Sequence, residues 1–206
     1  MSHERLPVAP FAAIGIFLGT VMPLLLISEI LADGNWVFNY NTLSDLGVSD
    51  NETVALMFNG ACMIGGPLIS VFGIGKAMIK TDRLDKACGA ALVLAGIFLF
   101  LVGIFTKDHL SFHIPVSFLY FVLMLAAMFI SMSADCKRER RLSAIFTSIL
   151  IVITFASIPG FYFAGFEVIM VGCTYVWMTI QSLTLAFVKN RVQKSQSDDQ
   201  LVSYIH

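Results

Sequence analysis

Apolar residues along this chain fall into long blocks separated by short polar breaks, with neither the alternation of a half-buried strand nor the stripe of a surface helix. A helix needs about 20 predominantly apolar residues to cross the hydrocarbon of a bilayer. Six blocks meet that length. They predict an all-α, polytopic six-helix transmembrane bundle with spans at roughly 9–31, 51–75, 87–106, 113–134, 142–163 and 166–188. These form one membrane domain over 1–188, and a polar tail over 189–206 is expected to fray. The long break from Ala32 to Asp50 is expected to hold a short interfacial helix or turn. Asn41 can cap it, and Gly47 can end it in a left-handed conformation. Ser49 and Glu52 stand at capping-box spacing before the second span. Pro23, Pro67 and Pro159 lie inside spans and predict kinks, whereas Pro115 falls in the first turn of the fourth.

Charge adds orientation. Only 13% of residues are charged, about half the fraction of a soluble domain, and six spans leave no room for such a domain. The first apolar block exceeds a secretory h-region and lacks a clean cleavage site, so it reads as a retained span. Of the 13 Lys and Arg, all but Lys107 fall at the N-terminus, in the even-numbered breaks or in the tail. That bias predicts a multi-pass protein of the cell membrane with both termini cytoplasmic. The acids Asp33, Asp45, Asp50, Glu52, Asp108 and Glu167 lie on or near the opposite, outer side, as does Glu29. Gly15/Gly19, Gly66/Gly73 and Gly96/Gly103 are spaced for close helix packing, and packing within one bundle is favoured over a homo-oligomer interface. The four cysteines avoid the outer loops and form no CxxC, so neither a structural disulfide nor a zinc finger is expected. Nothing points to nucleic acid.

Three outer segments carry candidate chemistry. Ser44 and Asp45 sit in the first loop. Asp108, His109 and His113 flank the start of the fourth span, where a spacing of four would put both imidazoles on one helix face. Glu167 opens the sixth span, where a helix dipole favours an anion. Asp45, Asp108, His109 and His113 form an oxygen and imidazole set of the kind zinc accepts. A metal there would polarise an ester or phosphoryl oxygen. Without metal, Asp45 and His109 could act as a general-base pair, with Ser44, Asn59 and Glu167 as ligand contacts. Asn59, two turns into the second span, is expected to hydrogen-bond to a neighbouring helix.

The run Asn41-Thr42-Leu43-Ser44-Asp45-Leu46-Gly47, followed by Phe58-Asn59-Gly60, resembles the DUF998 family of archaeal and bacterial membrane proteins. Gly103-Ile104-Phe105, Asp108-His109 and His113 fit the same pattern. The layout is also similar to the Frag1/DRAM/Sfk1 group, whose members are associated with lipid remodelling. The resemblance implies a six-helix bundle with an outer site around Ser44, Asp45, Asn59, His109 and His113, and membrane lipid as the partner. It assigns no reaction. The function expected is binding or handling of a lipid through an outward-facing polar cluster, and the alternative is a metal-dependent hydrolase or transferase acting on a lipid headgroup or ester. A small transporter is the third reading. Against it, the inner halves of the predicted spans lack ionisable residues that would continue a polar path.

Overall fold

A computed structural model of the chain describes residues 8–79 and 82–203, with side chains described as far as Phe187. Arg5 and Lys80 of the charge pattern lie outside the described residues, as do the side chains of Lys189, Arg191 and Lys194. The helices are α1 (Val8–Asp33), α2 (Glu52–Ile79), α3 (Arg83–Ile104), α4 (Leu110–Lys137), α5 (Arg141–Ser157) and α6 (Phe163–Ser203). Two 3₁₀ helices, Leu43–Val48 and Lys107–His109, sit in the connections before α2 and α4. Among the described residues there is no strand.

Five of these helices are long and apolar enough to cross a membrane. The exception is α5, whose 17 residues rise about 25 Å against a hydrocarbon core of about 30 Å. The sequence pattern carries this helix on to residue 163. The structure ends it at Ser157, because Pro159 has no N–H to continue the ladder. Pro159 therefore follows a helix rather than kinking one. Pro23 and Pro67 do lie within α1 and α2, and Pro115 falls in the second turn of α4. The helix of α6 continues through the polar tail to Ser203, where fraying is expected from the sequence.

Each helix packs on the next, and α6 closes back onto α1, so the six make a ring. Large apolar side chains point outward on every helix, among them Leu24, Leu56, Ile97, Phe118, Val152 and Val176. Lipid solvates such a surface without penalty, so cohesion comes from close packing rather than from apolar burial. The centre is filled by Phe72, Leu92, Met124, Met128 and Trp177, all at most 1% exposed.

Glycine sets the tightest seam. A Cβ on Gly66 would stand 2.7 Å from the Phe100 backbone nitrogen, one on Gly73 2.7 Å from the Gly89 carbonyl oxygen, and one on Gly103 2.6 Å from the Asn59 carbonyl oxygen. Contacts thus recur every seven residues along both antiparallel helices, the spacing of a left-handed crossing. The expected small-residue packing is accordingly used inside the bundle, between α2 and α3. Gly19 serves the same purpose between α1 and α6, where its Cβ would meet the Tyr175 carbonyl oxygen at 2.6 Å.

Candidate functional site

The first loop folds down onto the bundle. Its 3₁₀ helix buries Leu43 and Leu46 against Val54, Phe58 and Cys62 of α2. The cap is Thr42 rather than Asn41. Asn41 instead accepts from the Val37 N–H at 2.9 Å. The Asp45 carboxylate reaches back to the Thr42 N–H at 2.7 Å and to its hydroxyl at 3.0 Å. Lys107, from the second 3₁₀ helix, forms an ion pair with Asp45 and donates to the Thr42 hydroxyl at 3.2 Å. Gly47 is not left-handed among the described glycines. It is needed for close approach, since Asn59 Nδ2 donates to its carbonyl at 2.9 Å and a Cβ there would meet the Asn59 side chain at 2.5 Å. Asn59 thus ties α2 to the loop rather than to another helix. At the start of α2, Asn51 accepts from the Thr53 N–H at 3.1 Å, while Ser49 donates to Asp33.

Burial pushes the Asp45 carboxyl up, but the Lys107 and Thr42 hydrogen bonds together with the Lys107 charge outweigh it and hold it below the usual carboxylate range. A group whose folded pKa is lowered stabilises the fold above its unfolded pKa and loses that contribution as pH falls through the folded value. Asp45→Asn is therefore expected to cost less than about 1 kcal/mol of stability at neutral pH, seen as a lower thermal midpoint, because solvent screens this half-buried pair. The gap from wild type should close below about pH 4. A gap of unchanged size in strong acid would show that the charge of Asp45 is not its source.

The histidines part company. Because α4 begins at Leu110, His109 belongs to the preceding 3₁₀ turn and is exposed, as is Asp108. His113 turns inward and is 6% exposed. Its Nδ1 lies 2.7 Å from the Phe105 carbonyl oxygen and its Nε2 3.2 Å from Ser117 Oγ. Among the described residues no three His, Cys, Asp or Glu side chains gather as a metal site. Zinc held by Asp45, Asp108, His109 and His113 would require Asp45 to leave Lys107 and His109 to turn inward. The general-base pairing of Asp45 with His109 meets the same obstacle.

Glu167 and Ser44 do come together. Glu167, 6% exposed, accepts from the Leu43 N–H and the Ser44 side chain, so it receives the loop rather than capping its own helix. Both residues line a cavity of about 80 Å³ bounded by α1, α2, α3, α4, α6 and the first 3₁₀ helix. Its third polar feature is Glu29 of α1, 1% exposed, whose Oε1 has no hydrogen-bond partner. Below these groups the wall is mainly apolar, with Leu18, Met22, Phe58, Ile69, Leu99 and Met178 among its residues, and is interrupted by the hydroxyl-bearing Ser117, Tyr120, Thr174 and Tyr175. From Glu29 to Leu18 on α1, and from Glu167 to Met178 on α6, the cavity extends about 16 Å. It is a slot, polar at the loop end and greasy along its length.

A second polar cluster closes the far end of the bundle. Lys76 of α2, 2% exposed, donates to Gln181 Oε1 of α6 at 2.6 Å and lies over the Trp177 ring. Gln181 Nε2 donates in turn to Asp135 of α4 at 3.2 Å. Asp135 also accepts from Ser143 of α5 at 2.5 Å and pairs with Arg140 at 2.7 Å. The sequence pattern places Lys76 and Asp135 in connecting turns. They are instead buried in the last turns of α2 and α4, so the expectation that the spans lack ionisable residues toward this end does not hold.

Residues 11–184 match the family described as protein of unknown function, DUF998. The chain belongs to that family. No curated protein and no solved structure matches it. In this DUF998 protein the sequence-predicted residues therefore divide by use. Asp45, Asn59 and His113 position the loops, Asp108 and His109 face outward, and Ser44 and Glu167 reach the cavity. Glu29 is the member that sequence reasoning passed over. Its signal is an acid within the last turn and a half of an apolar span, a position where charge is kept only if something receives it.

Proposed function

We propose that this DUF998 protein binds a membrane amphiphile, seating the part of its apolar chain nearest the head in the slot between α1, α2, α3, α4 and α6 and its polar head beside Glu29, Ser44 and Glu167. The observation that carries the reading is the polarity of the cavity: a mainly apolar wall with both of its acids and Ser44 toward one end. Binding sites for small molecules characteristically combine an apolar lining with a few convergent polar groups. The reading keeps the lipid role expected from the sequence. In the same reading the bundle spans a cell membrane six times, with α5 crossing where local thinning accommodates its length. The basic end, with both termini, faces the cytoplasm and the slot opens toward the outer leaflet.

Native mass spectrometry of the purified protein tests this. Wild type should retain alkyl-chain adducts after detergent is stripped. Ala61→Leu, which extends a side chain from the cavity wall, should lose them while gaining about 1 kcal/mol of stability from the filled space. Identical adducts on both proteins would place the ligand elsewhere and overturn the assignment.

A further inference from the structure

The slot has a charge as well as a shape. Among the described residues lining it are two carboxylates, Glu29 and Glu167, and no Lys, Arg or His. The nearest cation on the loops, Lys107, is already paired with Asp45. Glu167 has donors in the Leu43 N–H and Ser44. Glu29 does not have its full set: Oε1 is buried, faces the cavity and meets no donor. An uncompensated carboxylate in such surroundings costs several kcal/mol, which a partner of opposite charge removes. Around the same space stand the rings of Phe58, Tyr120, Phe121 and Tyr175, surfaces whose π faces attract cations.

We propose that the occupant is a cationic amphiphile, an aliphatic amine whose ammonium is held by Glu29 and Glu167 while the first part of its chain enters the slot. The assignment rests on the amphiphile site proposed above and names the chemistry of its head. A primary ammonium presents three N–H donors and no acceptor. One satisfies Glu29 Oε1, and the other two are left for Glu167, a neighbouring hydroxyl or the ring faces. A neutral alcohol of the same chain supplies one donor and no charge. A fatty carboxylate brings only acceptors to a site that already holds two acids. The complement of this cavity is therefore positive.

Three probes of equal chain length separate the possibilities: dodecylamine, dodecanol and dodecanoate. Each is titrated by calorimetry into the purified full-length protein in a non-ionic detergent, at a fixed pH where the amine is protonated and the fatty acid ionised. Dodecylamine should bind at least about tenfold more tightly than dodecanol, the scale of one added charge-assisted hydrogen bond, and dodecanoate most weakly. Glu29→Gln should weaken the amine by about tenfold or more and leave dodecanol within a factor of about two. Glu167→Gln should act the same way. Size-exclusion profiles and thermal midpoints of both variants report that the bundle is folded. Equal affinity for amine and alcohol, abolished by Ala61→Leu, would overturn the cationic assignment while the amphiphile site stands. No saturable binding of any of the three to folded wild type would overturn both. Amine selectivity that survives Glu29→Gln and Glu167→Gln together would also overturn it, by showing that the carboxylates do not hold the head.

Discussion

Asp135→Ala is expected to lower the stability of the folded bundle by about 3–5 kcal/mol, the range found when one partner of a buried ion pair is removed. Asp135 is 1% exposed. It is the only acceptor in the cluster with a formal negative charge among the described hydrogen-bonded groups, taking bonds from Ser143 and Gln181 and the charge of Arg140. Without it Arg140 remains beside α4 with no counter-ion there, and Gln181, still bound to Lys76, loses the acceptor on its other side. Four helices meet at that point, so the loss is not local: α2, α4, α5 and α6 are clasped by this one set of contacts. Thermal unfolding in detergent, followed by helix content, measures the effect. Asp135→Asn should recover part of it, since an amide oxygen still accepts from Ser143 and Gln181 but carries no charge for Arg140. The double change Asp135→Leu with Arg140→Met should also recover part, because an apolar pair leaves no stranded ion. A midpoint for Asp135→Ala equal to wild type would mean that water reaches the cluster and that the clasp carries no energy.

The clasp also marks where sequence reading stops. Hydropathy locates membrane helices well because the bilayer requires a long apolar run whatever the fold. It says little about which face of each run looks inward, since a spanning helix is apolar all round and lacks the stripe that orients a helix on a soluble protein. The blocks of apolar residues therefore reveal the helices in order. Their ends are read from the first charged residue, and that rule fails for Lys76 and Asp135. Each is charged, each lies inside a helix, and each is buried because its partner arrives from a different part of the chain. Glu29 was obscured in the same way, as one acid among several near the outer ends of the spans. Its separation from solvent depends on the 3₁₀ helix folding over the bundle, and no local pattern encodes that. The His109 and His113 spacing misleads for a related reason. Four residues apart on one helix implies a shared face, but a 3₁₀ turn ends between them, and the two rings diverge. Ser44 and Glu167 are legible as polar candidates, but not as partners: 123 positions along a chain are linked here only because α6 returns to α1 and the first loop lies over both.

Gly66→Val should be nearly as damaging, for a reason that involves no charge. Where α2 crosses α3, the new Cβ would stand 2.7 Å from the Phe100 backbone nitrogen and 3.0 Å from its Cβ, with the Gly96 carbonyl oxygen closer still. Backbone atoms of a packed helix cannot swing aside as a side chain can, so the helices must separate. In lipid that separation is costly because close contact is itself the source of cohesion, with no apolar burial to replace it. The seam also repeats at Gly73 with Gly89 and at Asn59 with Gly103, so moving one crossing point strains the others. Overpacking of this kind costs about 3 kcal/mol, the upper part of its usual range, and a reduced folded yield should accompany it. Gly60→Val is the matched control. It lies on the same helix, but a Cβ there meets nothing within 4 Å, and it should change stability by no more than about 0.5 kcal/mol. Equal losses for the two variants would assign the effect to β-branching in α2 rather than to the seam. A loss confined to Gly66→Val, reproduced by Gly96→Val from the other side, would show that α2 and α3 are held together by the absence of two side chains. The slot depends on that contact, because Gly65, Leu99 and Val102 of its wall ride on the same two helices. Gly66→Val should therefore also lose the bound amphiphile, although Gly66 does not line the cavity.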